Sequence, residues 1–417
     1  AVGFLSGSYP ALYLSAFSPI RILKRKQSSR GKDANLRRAL VVLQFGIAIA
    51  LIIVTLSISN QLNFMRNKGL GFQKDQIVVV PVNGGEFREN IAPFKKELLN
   101  HSNIGAVAGS ILLPSKIGMY NNVTWEGAAK NESISLIQNK IDYDFLDTYE
   151  IEVIQGRNFS PEYPSDIIDP DRENISGAVI LNEEAVRRFG WENPIGKKVI
   201  QVFGEERYNF NVVGVIKDFH FASLHTKIQP LSLFLRTNYP RNISIKIKPG
   251  DMQNSIAHIQ DTWSKFNPEY PFEYYFIDET FDRTYQSEAK LQTLFGYFSL
   301  LSIFISCLGL FGLAAFAAER RTKEIGVRKV LGATVSNIVF LLSKEFTMWI
   351  LIANIVAWPV AFFAMNSWLQ NFAYRTEIGW EIFIISGLAA LVIALSTVSF
   401  QAIKAALANP INALKYE

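Results

Sequence analysis

Two textures alternate along the chain: long apolar runs free of charge, and stretches in which apolar residues recur at strand or helix spacing. Four runs contain no Asp, Glu, Lys or Arg: 39–65, 291–318, 346–374 and 382–403. Each is longer than the roughly 20 apolar residues that a helix needs to cross a hydrocarbon core. A charge at the centre of such a helix costs about 2.5–3.5 kcal/mol on insertion, which explains why the runs stay clean. The pattern predicts transmembrane helices at 39–65, 287–318, 337–374 and 380–404.

Residues 66–286, between the first two spans, have the mixed pattern of a water-exposed α+β domain. A strand-like run at 76–82 is followed by helical spacing of Phe87, Ile91, Phe94 and Leu98, then by an apolar run at 105–113. At the far end Ile243, Ile245 and Ile247 alternate on one strand face, and Ile256, Ile259 and Trp263 follow at helical spacing. A third strand is expected at 271–277. A β-α-β at each end outlines a split, ferredoxin-like unit. Residues ~140–225 are expected to form an inserted subdomain, with strands at 178–181 and 208–215 and an exposed acidic loop at 160–174. Residues 279–290 are expected to continue without a break into the second span. The predicted fold class is an α-helical integral membrane protein with a large α+β extracytoplasmic domain.

Charge orients the spans. The formal net charge is +5, yet residues 21–38 hold eight Lys/Arg against Asp33 alone, and 319–329 hold five against Glu319 and Glu324. The remainder of the chain is net negative, so the basic character flanks apolar runs and does not form a nucleic-acid surface. Both basic segments belong on the cytoplasmic side. The loop between the third and fourth spans carries Arg375 against Glu377 and Glu381, as an outer loop should. Trp349, Trp368 and Trp380 lie towards span ends, whereas Trp358 lies deeper, in a position to pack between helices. This gives a basic cytoplasmic linker at 18–38, an outer domain at 66–286, a cytoplasmic helix at 319–336 and a cytoplasmic tail at 405–417. Residues 1–17 read as the end of a preceding transmembrane helix. They echo the chain's own ending: Ser8 to Ala11 and Ser18 to Lys24 match Ser399 to Ala402 and Asn409 to Lys415 at one constant offset. Such a repeat suggests an earlier module, the chain being a C-terminal half.

Catalytic chemistry is scarce. The nearest approach to a phosphate-binding loop, 190–198 (GWENPIGKK), has the wrong glycine spacing and a lysine at the hydroxyl position. There is no H-E-x-x-H, no cysteine pair and no G-x-S-x-G, and Cys307 is a small hydrophobe in an apolar run. No catalytic, cofactor-binding or metal site is expected. Asp218, His220 and His225 are close in sequence, but the intervening Phe219, Phe221 and Leu224 favour a loop packed on a core over a metal site. His101 and His258 read as isolated surface or capping residues. The polar residues of the third span are mainly Asn354 and Gln370, too few for a hydrophilic pore.

The informative stretch is cytoplasmic, Glu319 to Thr334 (ERRTKEIGVRKVLGAT). Its charges alternate in sign, while Val327, Val330, Leu331 and Thr334 share a face at i, i+3, i+4 and i+7. That describes a short amphipathic helix, suited either to lying on anionic lipid or to docking on a protein. The stretch resembles the segment after the second span of the FtsX/MacB-type permeases, membrane subunits of a mechanotransmitting class of ABC transporter. NEEAVRRFGWENPIGKKV, VVGVIKDFHFASLH and NPINALKYE also resemble segments of two-module permeases of Bacteroidetes-type bacteria. The resemblance covers almost the whole chain. It implies a MacB-like periplasmic core with a porter-like unit, a bacterial inner-membrane location and a separate ABC ATPase as partner. It further implies a docking role for Arg320, Arg321, Lys323, Glu324, Ile325, Gly326, Val327, Arg328, Lys329, Leu331 and Gly332. Membrane lipid, a second permease module (an N-terminal half or a second copy) and a periplasmic protein are the other partners expected. The implied function is export or extrusion of a substrate. A non-transporting regulator or receptor acting on a periplasmic partner is the alternative.

Overall fold

A computed structural model describes residues 30–82, 87, 90–114, 118–168, 176–203, 206–238 and 240–407. The expected N-terminal span end at 1–17, most of the basic linker and the tail beyond residue 407 lie outside these described residues. The chain forms two compact units. One gathers the described residues up to Ser59 with Leu291–Trp368 and those from Glu377 onward; the other gathers Asn60–Lys290 and Leu369–Thr376.

The first helix, α1 (Arg30–Asn67), is one of four long and apolar enough to cross a membrane. After it comes the first β-α-β of the mixed unit, β1 (Ile77–Pro81), α2 (Ile91–Leu99) and β2 (Ile104–Ser110). The second comes late, as β10 (Asn242–Ile247), α5 (Met252–Phe266) and β11 (Tyr275–Phe276). They interlock as a sheet ordered β11-β1-β10-β2, with every neighbouring pair antiparallel. The alternation seen in the sequence sets one face: Val78, Val80, Ile243 and Ile245 turn towards Phe94, Leu98, Ile259 and Trp263 of the two helices. Trp263 is 2% exposed, and burying such a side chain stabilises the unit by about 1.5–3 kcal/mol or more. His101 and His258, expected to stand apart, stack at 4.5 Å where α2 ends beside α5.

Between these halves lie β3 (Met119–Trp125), β4 (Ile134–Ile141), the single turn α3 (Phe145–Thr148), β5 (Val153–Gly156), β6 (Ser176–Asn182), α4 (Glu183–Phe189), β7 (Lys198–Phe203), β8 (Glu206–Ile216) and β9 (Leu231–Leu235). The order β4-β3-β7-β8-β6-β9 closes on itself, because β9 pairs in parallel with β4 from Ile137↔Leu231 to Ile141↔Leu235. The inserted subdomain is therefore a closed six-stranded barrel. It draws in β3 and most of β4 before residue 140 and β9 after residue 225, so it is wider than the expected ~140–225. Those three strands looked unremarkable in sequence, since the pairings that enclose the barrel join residues far apart in the chain. Alternate residues of the strands fill it, and α4 stops one end with Ala185 and Phe189. β5 adds to the free length of β8, where Gly214 lies so close to Arg157 that a Cβ would stand 2.3 Å from its carbonyl oxygen.

The C-terminal part comprises α6 (Ile277–Thr284), α7 (Gln286–Arg320), α8 (Thr322–Val330), α9 (Val335–Leu369) and α10 (Trp380–Leu407). The unbroken helix expected over 279–290 is not found: α6 and α7 are separated at Tyr285, whose hydroxyl accepts the Leu224 N–H at 3.0 Å. Tyr285 thus spends its polar end on a neighbouring loop. The third span ends at Leu369, short of the expected residue 374. The following segment, Leu369–Thr376, belongs to the mixed unit. There Gln61, fully buried, donates to the Tyr374 carbonyl at 2.9 Å and accepts from the Thr376 backbone N–H at 2.8 Å. In the helical unit α10 packs through a row of small residues, Ser386, Ala390, Ala394 and Ala402 among them, which lets helix backbones approach closely.

Candidate functional site

Within the expected cytoplasmic helix 319–336 the structure forms a shorter helix, α8 (Thr322–Val330), between α7, which ends at Arg320, and α9, which starts at Val335. Helix α8 stops where the residues LGA stand: Gly332 takes φ +92°, its N–H reaches the Lys329 carbonyl at 3.1 Å and the Ala333 N–H reaches that of Arg328 at 2.9 Å. This paired closure needs a left-handed residue, for which glycine has no steric cost.

The helix has two faces. Ile325 (5% exposed) and Gly326 are buried, and Ile325 packs with Ala318, Ile338, Leu342, Ala402 and Ala406. These two residues, expected in the docking surface, therefore anchor the helix from beneath. The opposite face is open: Val327 is 49% exposed, Val330 68% and Leu331 80%. Exposed polar residues ring these apolar ones, and among them Arg328 pairs with Glu324 one turn away at 2.8 Å. Lys323, Arg320 and Gly332 are exposed as well, whereas Arg321 and Lys329 are half-buried.

Arg321 turns inward. Its Nη2 donates to Glu345 Oε2 at 2.8 Å, while Arg38 of α1 donates to Glu345 Oε1 at 3.0 Å. One carboxylate on α9 thereby joins α1 and the start of α8. Arg320 lies over the Phe316 ring at 4.9 Å, with Arg37 over the same ring at 4.7 Å. Glu345 lies outside the expected residues because in sequence it is one of several charges at the edge of an apolar run. Val330, outside the expected set, shares the exposed apolar face with Val327 and Leu331.

Asp218, His220 and His225 serve other purposes. Asp218 accepts from Asn182, from the Glu184 backbone N–H and from Arg187 at 2.8–3.0 Å, organising the start of α4. His220 packs edge-on against Tyr374, and His225 bonds Ser223 and Glu288. Among the described residues no group of three or more His, Cys, Asp or Glu could hold a metal ion.

Four apolar helices, a large mixed domain between the first two and a short amphipathic helix after the second define a multi-pass permease of the inner membrane with its mixed domain in the periplasm. Residues 39–260 match the MacB-like periplasmic core domain, and residues 296–410 match the FtsX-like permease C-terminal domain. The chain belongs to the MacB/FtsX family of ABC transporter permeases. It is 22% identical to the ABC transporter permease YknZ of Bacillus subtilis over 287 residues, 67% of this chain and 70% of that protein. It is 28% identical to the macrolide export ATP-binding/permease protein MacB of Aggregatibacter actinomycetemcomitans over 210 residues, 48% of this chain and 31% of that one. The chain thus spans about a third of that relative's length. The crystal structure of the periplasmic region of MacB from Actinobacillus actinomycetemcomitans aligns at 17% identity and TM-score 0.35, over 53% of this chain and 97% of the other.

Proposed function

We propose that this chain is the permease subunit of a mechanotransmitting ABC transporter, worked by ATP hydrolysis in a separate ATPase. In this scheme the ATPase grips α8 and moves it, and the spans on either side of the periplasmic domain carry that motion outward as a rigid-body change. The movement of the periplasmic domain serves export or extrusion of a substrate, in company with a second permease module. The observation that carries this reading is the apolar face of α8: Val327, Val330 and Leu331 are exposed on a helix whose other side is anchored by Ile325 and whose start is tethered by Arg321. A rim of Lys323, Glu324 and Arg328 around an apolar centre is the composition of a protein-docking surface. The test is co-purification of the protein with its ATPase, comparing the unaltered protein with Leu331→Asp. Loss of association with normal membrane insertion supports docking through α8; unchanged association of the variant removes it.

A further inference from the structure

The interior of the β3–β9 barrel changes character along its axis. Next to α4 the inward positions are apolar, with Trp125 stacked on Phe189 at 4.9 Å and Leu136, Val199 and Val212 beside them. Moving away from α4, the same alternation brings Asn121, Gln138, Lys140 and Gln201 inward, as the registers Asn121↔Leu136, Val123↔Gln201 and Lys140↔Phe234 require. A cavity of about 530 Å³ opens at this end, far more than water alone would need. That is the size of pocket that takes a small organic ligand, and barrel mouths are a common place for one.

Among the described residues, the charged groups of its lining are of one sign. Lys140, Arg236 and Arg241 supply three cations, and no Asp or Glu lines it among the described residues. Glu206, the acid bonded to the Tyr208 hydroxyl, is exposed on its strand. Burial, and then the nearby Arg236, lower the Lys140 pKa from its ordinary value. Three amides form a chain below it. Gln138 Oε1 accepts from Asn121 at 2.7 Å and from Gln201 at 3.3 Å. Gln138 is 9% exposed, and its Nε2 has no acceptor among the described residues. A buried donor without a partner costs about 1–3 kcal/mol, a cost that an oxygen entering the cavity would remove. Phe210 and Phe234, each 2% exposed, give the cavity an apolar wall.

We propose that this barrel mouth binds an anionic amphiphile, a molecule with a carboxylate or phosphate head and an apolar body. Lys140, Arg241 and the free Gln138 donor hold the head, and Phe210 and Phe234 hold the body. The site is independent of the docking assignment for α8.

The test uses the full chain in phosphatidylcholine nanodiscs, with radiolabelled octyl phosphate and octanoate as probes and empty discs as background. The expected result is one saturable site for both anions and none for octylammonium. The pair Lys140→Met and Arg241→Met together weakens binding by about tenfold or more, and Gln138→Leu weakens it several-fold, in proteins whose circular dichroism and melting match the unaltered chain. Doping the discs with phosphatidylglycerol separates the sources: competition assigns the site to a lipid headgroup, and unchanged binding assigns it to a soluble anion. Absence of saturable binding, equal binding of octylammonium, or full affinity in both the double variant and Gln138→Leu overturns the proposal.

Discussion

Arg321 and Glu345 are joined at 2.8 Å, and this contact fixes where the short helix α8 begins relative to α9. Both side chains are about a third exposed, so the pair belongs with surface ion pairs in strength. Its value is positional. Replacing either residue by Ala is expected to cost about 1 kcal/mol or less, and the double variant no more than the larger single effect. Thermal unfolding of the four proteins in one detergent gives the coupling. Additive losses would mean that the two side chains do not act on each other.

Gln61 is the buried counterpart in the mixed unit. Its amide serves the Tyr374 carbonyl, the Thr376 N–H and, at 3.1 Å, the Thr376 hydroxyl. Gln61→Leu keeps the volume but leaves those groups unpaired, with an expected loss of about 1–3 kcal/mol. Hydrogen exchange at the Thr376 amide reads this directly: it should accelerate in the variant while β10 stays protected.

His220 carries a pH dependence. Burial first, and then the charge of Lys68, push its pKa from the ordinary 6.5 down to about 4. Above pH 6.5 the ring is neutral in folded and unfolded chains alike. As pH falls from 6.5 towards 4, the unfolded chain takes up the proton first, so stability falls across that window. Denaturant unfolding between pH 7 and pH 4 should show the decline (both values bracket the shift from 6.5 to about 4). The variant His220→Phe, which preserves a ring against Tyr374, should lose this component of the slope.

Gly214 tests the junction of β5 and β8. A methyl group there would meet the Arg157 carbonyl at 2.3 Å, and that oxygen belongs to backbone that cannot rotate away. Gly214→Ala is expected to destabilise the barrel by about 1–3 kcal/mol, measurable as a lower melting temperature. Ala at Gly127, where a Cβ would meet nothing within 4 Å but φ is +93°, gives a strain-only comparison.

Much of this architecture is legible in the chain itself. The four spans follow from local composition, since each charge-free run either crosses a membrane or exposes apolar surface to water. The split β-α-β unit follows from period-two and helical spacing, as at Ile243, Ile245 and Ile247. Tertiary structure alone decided the rest. The barrel closes by pairing Ile137 with Leu231, and such long-range hydrogen bonds leave no local signature. The same holds for the break at Tyr285 and for the burial of Ile325, since helical spacing puts it on the opposite side from Val327 without deciding which side packs inward. Glu345 is one more flanking charge until packing brings Arg38 and Arg321 to its two oxygens. Local composition sets which solvent each segment prefers; which side chains meet depends on how distant segments pack, and that is settled only when the chain has folded.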